Sequence, residues 1–74
     1  MHMFIVIELQ TINDSQVANI VNAYTEQKVA EQKYHTILAA AAVSSLPCHA
    51  AVMLDEKGRM IKSEFYTHEV AQNE

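Results

Sequence analysis

The chain has 74 residues, half of them apolar, with a formal net charge of −4 and a single cysteine. This length allows one domain, covering residues 1–74, with a small core. The acidic balance disfavours a protein that follows nucleic-acid phosphates, because that affinity comes mainly from clustered lysine and arginine. The apolar fraction is too high for a disordered chain, and the longest apolar runs are too short to span a membrane.

The lone Cys48 excludes a disulfide within the chain and fits a reducing cytoplasm, which is the predicted location. The N-terminal apolar run follows no basic stretch and is interrupted at Glu8, so it is not expected to be a secretory signal. Burial of apolar surface contributes roughly 110 kcal/mol and ordering the chain costs roughly 110 kcal/mol. Because these terms cancel and no disulfide or zinc cluster is predicted, self-association is the expected source of further stability.

The chain opens with a predicted hairpin. Residues 3–11 are rich in β-branched and aromatic side chains and lead into a turn with Asp14-Ser15 at its tip, and residues 17–24 form the return strand. This tip sets a register with two pairs on one face of the hairpin: Leu9 with Ile20 and Ile5 with Tyr24.

A helix is predicted over residues 26–45. Thr25 is a suitable N-cap, and Pro47 ends the helix because the residue before a proline leaves the helical region. The buried stripe is expected to comprise the apolar residues at helical spacing: Ala30, Tyr34, Ile37, Leu38 and Ala41. Tyr34 is thus interpreted as a core residue rather than a binding aromatic. The alanines at 39–42 form a smooth surface that suits packing on a sheet or on another helix.

A second hairpin is predicted from residues 48–54 and 59–67, before a polar tail, 69–74, that is expected to fray. Two registers are open. A two-residue tip at Lys57-Gly58 gives one coherent apolar face, with these pairs: Leu54 with Ile61, Val52 with Ser63 and Ala50 with Phe65. A type I turn with a left-handed Gly58 shifts the pairing by one residue and breaks that face. The coherent face favours the first register.

These elements predict an α+β protein of ββαββ order. The first and third strands are apolar on both faces and are expected in the centre of a sheet. Asn19 and Asn22 mark the second strand as an edge, and Lys62 and Glu64 mark the fourth. The predicted fold is a four-stranded antiparallel sheet in the order 2-1-3-4 with one helix packed on one face.

Four stretches carry a resemblance to known sequences: Phe4–Gln10, Val17–Thr25, Lys33–Ser45 and His49–Leu54. Together they resemble a family of short uncharacterised proteins from Firmicutes, some of them carried by phages or mobile elements. The resemblance spans nearly the whole chain but contains no catalytic motif. It implies a compact α+β fold and an accessory role, and it transfers no functional residue.

Few groups are candidates for chemistry. Cys48 and His49 are adjacent on a strand and point to opposite faces, so they cannot form a nucleophile and base with each other, and His35 lies on the polar side of the helix. The histidines lack the tight spacing of zinc sites: His2, His35, His49 and His68. No catalytic, cofactor-binding or metal-binding residue is predicted, and the protein is not expected to be an enzyme.

One basic cluster occurs, formed by Lys57, Arg59 and Lys62 around the tip of the second hairpin. Acidic residues are interleaved with it, so a solubilising edge is the first interpretation. The alternative is a nucleic-acid accessory protein of a phage or mobile element that binds through this edge. No platform of stacking aromatic residues accompanies the cluster, which weakens that alternative.

A single helix covers only one face of the predicted sheet. The face expected beneath it carries apolar side chains from all four strands: Ile5, Ile7, Leu9, Ile20, Val52, Leu54, Ile61 and Phe65. The other face keeps a second apolar set, which is predicted to form a homodimer interface: Phe4, Val6, Val21, Ala23, Ala51, Met53 and Met60. The predicted function is a non-enzymatic homodimeric module that binds a protein partner, without a cofactor and without a membrane.

Overall fold

A computed structural model describes residues 2–69, which form a four-stranded antiparallel sheet with one helix packed against it. The elements in chain order are β1 (Phe4–Asn13), β2 (Gln16–Tyr24), α1 (Gln27–Ala42), β3 (Cys48–Asp55) and β4 (Met60–Thr67). The strands lie in the order β2-β1-β3-β4, which confirms the predicted ββαββ fold. Most of the tail that was expected to fray, residues 70–74, lies outside the described residues.

Helix α1 is shorter than the predicted range at both ends. It begins after Glu26, whose backbone is extended (φ −117°, ψ 128°) and whose side chain makes no capping bond, so Thr25 is not the N-cap. At the other end the N–H of Val43 donates to the carbonyl of Ala40 at 3.2 Å and closes the last turn. The helix therefore ends several residues before Pro47, because the chain uses that interval to return to the sheet.

The first hairpin has the predicted tip but a different register. Asp14 and Ser15 form the turn, and the Ser15 N–H donates to the Asn13 side-chain oxygen at 2.9 Å. Ile12 has no partner on β2, so it is a β-bulge that shifts the earlier pairs by one residue. The predicted pairs are therefore wrong, and the observed ones are Leu9 with Asn19 and Ile5 with Ala23.

The second hairpin combines the two registers that the sequence left open. Gly58 is left-handed (φ 80°) and its N–H donates to the Asp55 carbonyl at 3.0 Å, as in the alternative turn. Ile61 is then a bulge, which restores the favoured register beyond it. The pairs Val52 with Ser63 and Ala50 with Phe65 are confirmed, whereas Leu54 pairs with Met60 and not with Ile61.

The Asp55 carboxylate holds this turn together. It accepts the N–H groups of Arg59 at 2.9 Å and Lys57 at 2.8 Å, and these bonds, that of Arg59 first, hold the pKa of Asp55 below its ordinary value of 3.8. A lowered pKa in the folded state means that the unfolded chain takes up the proton first. The stability that this carboxylate contributes is present above the unfolded pKa and is lost as the pH falls through the folded pKa.

Asp55→Asn isolates this contribution, because asparagine keeps an acceptor oxygen but does not titrate. We expect the wild-type chain to be the more stable at neutral pH and the difference to shrink as the pH falls below the unfolded pKa and through the lowered folded pKa. Thermal unfolding of both chains across this range measures the difference. A difference that does not change with pH would contradict the role of the charge.

The core lies between α1 and the face of the sheet that carries Val6, Ala51 and Met53. These three side chains are fully buried and pack with the helix residues that the stripe predicted, namely Ala30, Tyr34 and Ile37. Phe4, Tyr24 and Leu38 pack around this cluster. On β1 and β3 the helix therefore covers the face that was predicted to be free, and the two faces of these central strands were assigned the wrong way round.

The path of the chain explains the reversal. Strands β2 and β3 are both antiparallel to β1, so they run parallel to each other and α1 is a crossover connection between them. A crossover between parallel strands takes a right-handed path almost without exception, and this handedness decides which face the helix covers. The relative apolarity of the two faces, on which the prediction rested, does not enter that choice.

Candidate interaction face

The sheet face opposite α1 is the main candidate for a functional surface, and we call it the open face. Strand residues that pair across the sheet share a face, so the register defines its members. From β1 to β4 they are Ile5, Ile7, Leu9 and Thr11; Val17, Asn19, Val21 and Ala23; Cys48, Ala50, Val52 and Leu54; and Met60, Ser63, Phe65 and Thr67.

The open face carries no charged side chain among the described residues. The charges of the strands lie on the helix side, where Glu8 and Glu64 both pair with Ala51 and Lys62 pairs with Met53. An antiparallel sheet with one face in water normally alternates apolar residues toward the core with polar residues toward the solvent. This sheet departs from that arrangement, because the face away from the core is also largely apolar, which is typical of a face that a second layer covers.

Large apolar side chains on the open face are well exposed in the isolated chain. Phe65 and Met60 are 63% and 64% exposed, and Val21 and Leu9 are 55% and 42% exposed. Four strands about 4.8 Å apart and eight residues of about 3.3 Å each make a face of roughly 500 Å². A contiguous apolar patch of this size is often functional.

The predicted interface residues divide between the two faces. Three of them lie on the open face: Val21, Ala23 and Met60. The other four lie on the helix side, so their assignment to a dimer surface is wrong: Phe4, Val6, Ala51 and Met53. The bulge at Ile12 places Val21 and Ala23 on the same face as Ile5. The crossover places α1 over the other four residues.

A buried polar pair lies on the helix side of the sheet. His49 is 4% exposed, and its Nε2 donates to the Glu8 carboxylate at 2.6 Å, while the Gln10 amide donates to the same oxygen at 3.2 Å. The other ring nitrogen of His49, Nδ1, is buried without a hydrogen-bond partner in the described part of the chain. Sequence reasoning missed this pair, although Glu8 stands as a lone acid within an apolar strand.

The other histidines and Cys48 do not converge on that pair. Cys48 is half-buried on the open face, and His35 is on the outer side of α1, 3.5 Å from Glu31. The Nε2 of His68 donates to the Ala41 carbonyl at 2.7 Å, and the Ser44 N–H donates to the same carbonyl at 3.3 Å, so His68 adds a second bond at the end of the helix. Within residues 2–69, no three histidine, cysteine or acidic side chains are grouped to hold a metal ion.

The three residues of the basic cluster have different surroundings. Lys62 bonds Glu31 at 2.6 Å and lies over the Tyr34 ring, 5.2 Å from its centroid. Lys62 lowers the pKa of Glu31 by this bond, and burial raises the pKa of Tyr34. The backbone N–H groups of Lys57 and Arg59 bond the Asp55 carboxylate at the hairpin tip. With Lys62 paired to Glu31 and the acidic Asp55 and Glu56 next to Lys57, the cluster is not a continuous basic strip, so it does not favour the nucleic-acid alternative.

The fold defines a two-layer α+β protein with one covered and one uncovered sheet face. Comparison with protein-family models, with curated proteins and with solved structures found no match. No helix among residues 2–69 combines the length and the apolar character needed to cross a bilayer. The geometry of the open face is therefore the basis for the functional proposal.

Proposed function

We propose that the protein is a non-enzymatic homodimeric module in which two copies pack open face to open face, and that the pair acts by binding a protein partner. One observation carries the proposal: among the described residues, a sheet face that no helix covers is largely apolar and carries no charge. Exposing such a surface to water is unfavourable. Burying the face in a dimer adds to the stability of a chain that is too short to form a large core.

The size of the open face suits a pair of copies. Two faces of roughly 500 Å² together bury about 1,000 Å² or more, which reaches the lower range of specific interfaces. Two sheets that pack face to face lie about 10 Å apart and interdigitate their side chains, as in a β-sandwich. The same surface on both copies makes the contact closed, so the pair does not grow into a filament.

A second copy is favoured over an unrelated occupant because the open face is compatible with itself. A face without charge brings no unpaired ion into the interface when it meets a copy of itself. Its polar members, Thr11, Asn19, Ser63 and Thr67, lie at the ends of strands or on the outer strands of the four-stranded sheet, away from its centre. The central strands contribute the aliphatic ridge formed by Ile5, Ile7, Val52 and Leu54.

The placement of the titratable groups supports a binding role rather than catalysis. Glu8 and His49 contact each other on the helix side of the sheet, and their side chains are 14% and 5% exposed. A general acid or base must reach the proton that it transfers, directly or through one water. This pair instead bonds inward, where it fixes β1 against β3.

Sedimentation equilibrium of the wild-type chain at micromolar concentration tests the proposal. We expect the mass of two chains of 8.3 kDa each, or a multiple of that mass. Chemical cross-linking followed by mass spectrometry should then connect residues that border the open face. The mass of a single chain throughout the concentration range would rule out the homodimer.

A further inference from the structure

Strand β2 is an edge strand without the features that normally protect an edge. It lies at the outside of the sheet, and its nine residues, Gln16–Tyr24, include no charge and no proline. Val17 is 74% exposed and Ile20 is 48% exposed. An edge strand presents a row of unpaired N–H and C=O groups, and natural proteins interrupt such a row with charges, prolines or bulges.

The opposite edge of the same sheet is protected. Strand β4 contains the bulge at Ile61 and the charges of Lys62 and Glu64, and Lys57 and Arg59 precede it. In the first hairpin, by contrast, the bulged residue is on β1. Strand β2 itself contains no bulge, so its outer edge is regular. The chain therefore protects one edge and leaves the other available for pairing.

We infer that β2 pairs antiparallel with β2 of a second copy across a two-fold axis. Full overlap of the nine residues places Ile20 opposite its own counterpart, because Ile20 is the middle residue of the strand. Like charges opposite each other destabilise a strand pair, and an uncharged strand avoids them in any register. The remaining pairs are Gln16 with Tyr24, Val17 with Ala23, Ala18 with Asn22 and Asn19 with Val21.

This edge pairing goes beyond the proposed function, because it uses a different surface from the open-face contact. It joins two four-stranded sheets into one continuous sheet. The two-fold axis is perpendicular to the sheet, so both helices lie on one side and both open faces on the other. Two such pairs then pack through their joined open faces, and the complete assembly contains four chains.

Ile20→Lys tests the edge without touching the open face. Ile20 pairs with Glu8 of β1, so its side chain is on the helix side, and full overlap of the two β2 strands places two lysines opposite each other. Ile20→Thr is the matched control, because threonine is β-branched and uncharged. Phe65→Lys serves as the open-face variant, since Phe65 is on β4, at the far edge of the sheet.

Sedimentation equilibrium should give four chains for the wild type and for Ile20→Thr, two for Ile20→Lys, two for Phe65→Lys and one for the double lysine variant. A wild-type mass for Ile20→Lys would overturn the edge pairing. If Phe65→Lys keeps the wild-type mass while Ile20→Lys halves it, the edge pairing holds and the open-face proposal fails. Circular dichroism checks that each variant is folded.

Hydrogen exchange of the wild-type chain provides a test that needs no substitution. Alternate amides of an unpaired edge strand point to solvent and exchange quickly. We expect every amide in the middle of β2 to be protected, whereas the outward amides of β4 exchange quickly. Equal and fast exchange of the outward amides on both edges would also overturn the inference.

Discussion

Val52→Lys is expected to halve the mass of the protein in solution. Val52 lies at the centre of the open face on β3, between β1 and β4. Open-face packing buries one lysine from each copy against apolar side chains, with no acidic partner on either face. The effective penalty for burying an unpaired ion is several kcal/mol, and about 4 kcal/mol is enough to raise Kd by a factor of roughly 1,000.

Val43→Lys is the control, because it makes the same chemical change outside the open face. Val43 is 84% exposed and lies in the turn that follows α1. Its lysine stays in water, so the mass should equal that of the wild type. Sedimentation equilibrium at several micromolar concentrations separates the two variants, with circular dichroism to show that both are folded. Equal masses for both would mean that the open face is not the contact surface.

Removing either member of the Glu8–His49 pair is expected to destabilise the fold more than removing both. Glu8→Leu leaves the imidazole of His49 buried with neither ring nitrogen bonded, which costs about 1–3 kcal/mol. His49→Leu leaves a carboxylate that is 14% exposed without its closest partner, with a loss of similar size. The double substitution to leucine restores an apolar contact and should fall within about 1 kcal/mol of the wild type.

Urea unfolding at one fixed chain concentration measures these differences, because the proposed association would also contribute to stability. The coupling between the two positions is expected at about 1–3 kcal/mol. The more exposed pair of Lys62 and Glu31 is the control cycle, with side chains 36% and 27% exposed, and it should couple more weakly. Additive effects at Glu8 and His49 would show that their bond contributes nothing to the fold.

Turn-forming and charged residues in the sequence were sufficient to predict the order of the strands and the helix. Asp14-Ser15 and Gly58 marked the turns, and the charges of Lys62 and Glu64 marked an edge strand, so the ββαββ fold and the strand order followed. The registers did not follow, because each hairpin contains a bulge. Ile12 and Ile61 are ordinary strand residues, and only the competition between turn geometry and cross-strand packing makes them bulge.

The sequence was enough to predict an uncovered apolar sheet face, but not the residues on that face. A helix that covers one face of a sheet leaves the other uncovered whichever face it takes, so an uncovered apolar face followed from composition. Which face is covered depends on the handedness of the crossover between β2 and β3. The pattern of apolar positions along the sequence contains no information about that handedness. The absence of charge was already readable, since the positions with Ile5, Ile7, Val52 and Leu54 contain none.

The pairing of β1 with β3 connects assembly to the kinetics of folding. Each hairpin forms locally, but Phe4 pairs with Asp55 across almost the whole chain, and such distant contacts form slowly. The ridge of Ile5, Ile7, Val52 and Leu54 lies directly over this junction between the hairpins. If a second copy binds this ridge as proposed, it holds together the two hairpins, which otherwise pair late in folding. Refolding of this protein should accelerate with chain concentration, as an association-coupled reaction does, whereas hairpin formation alone should not.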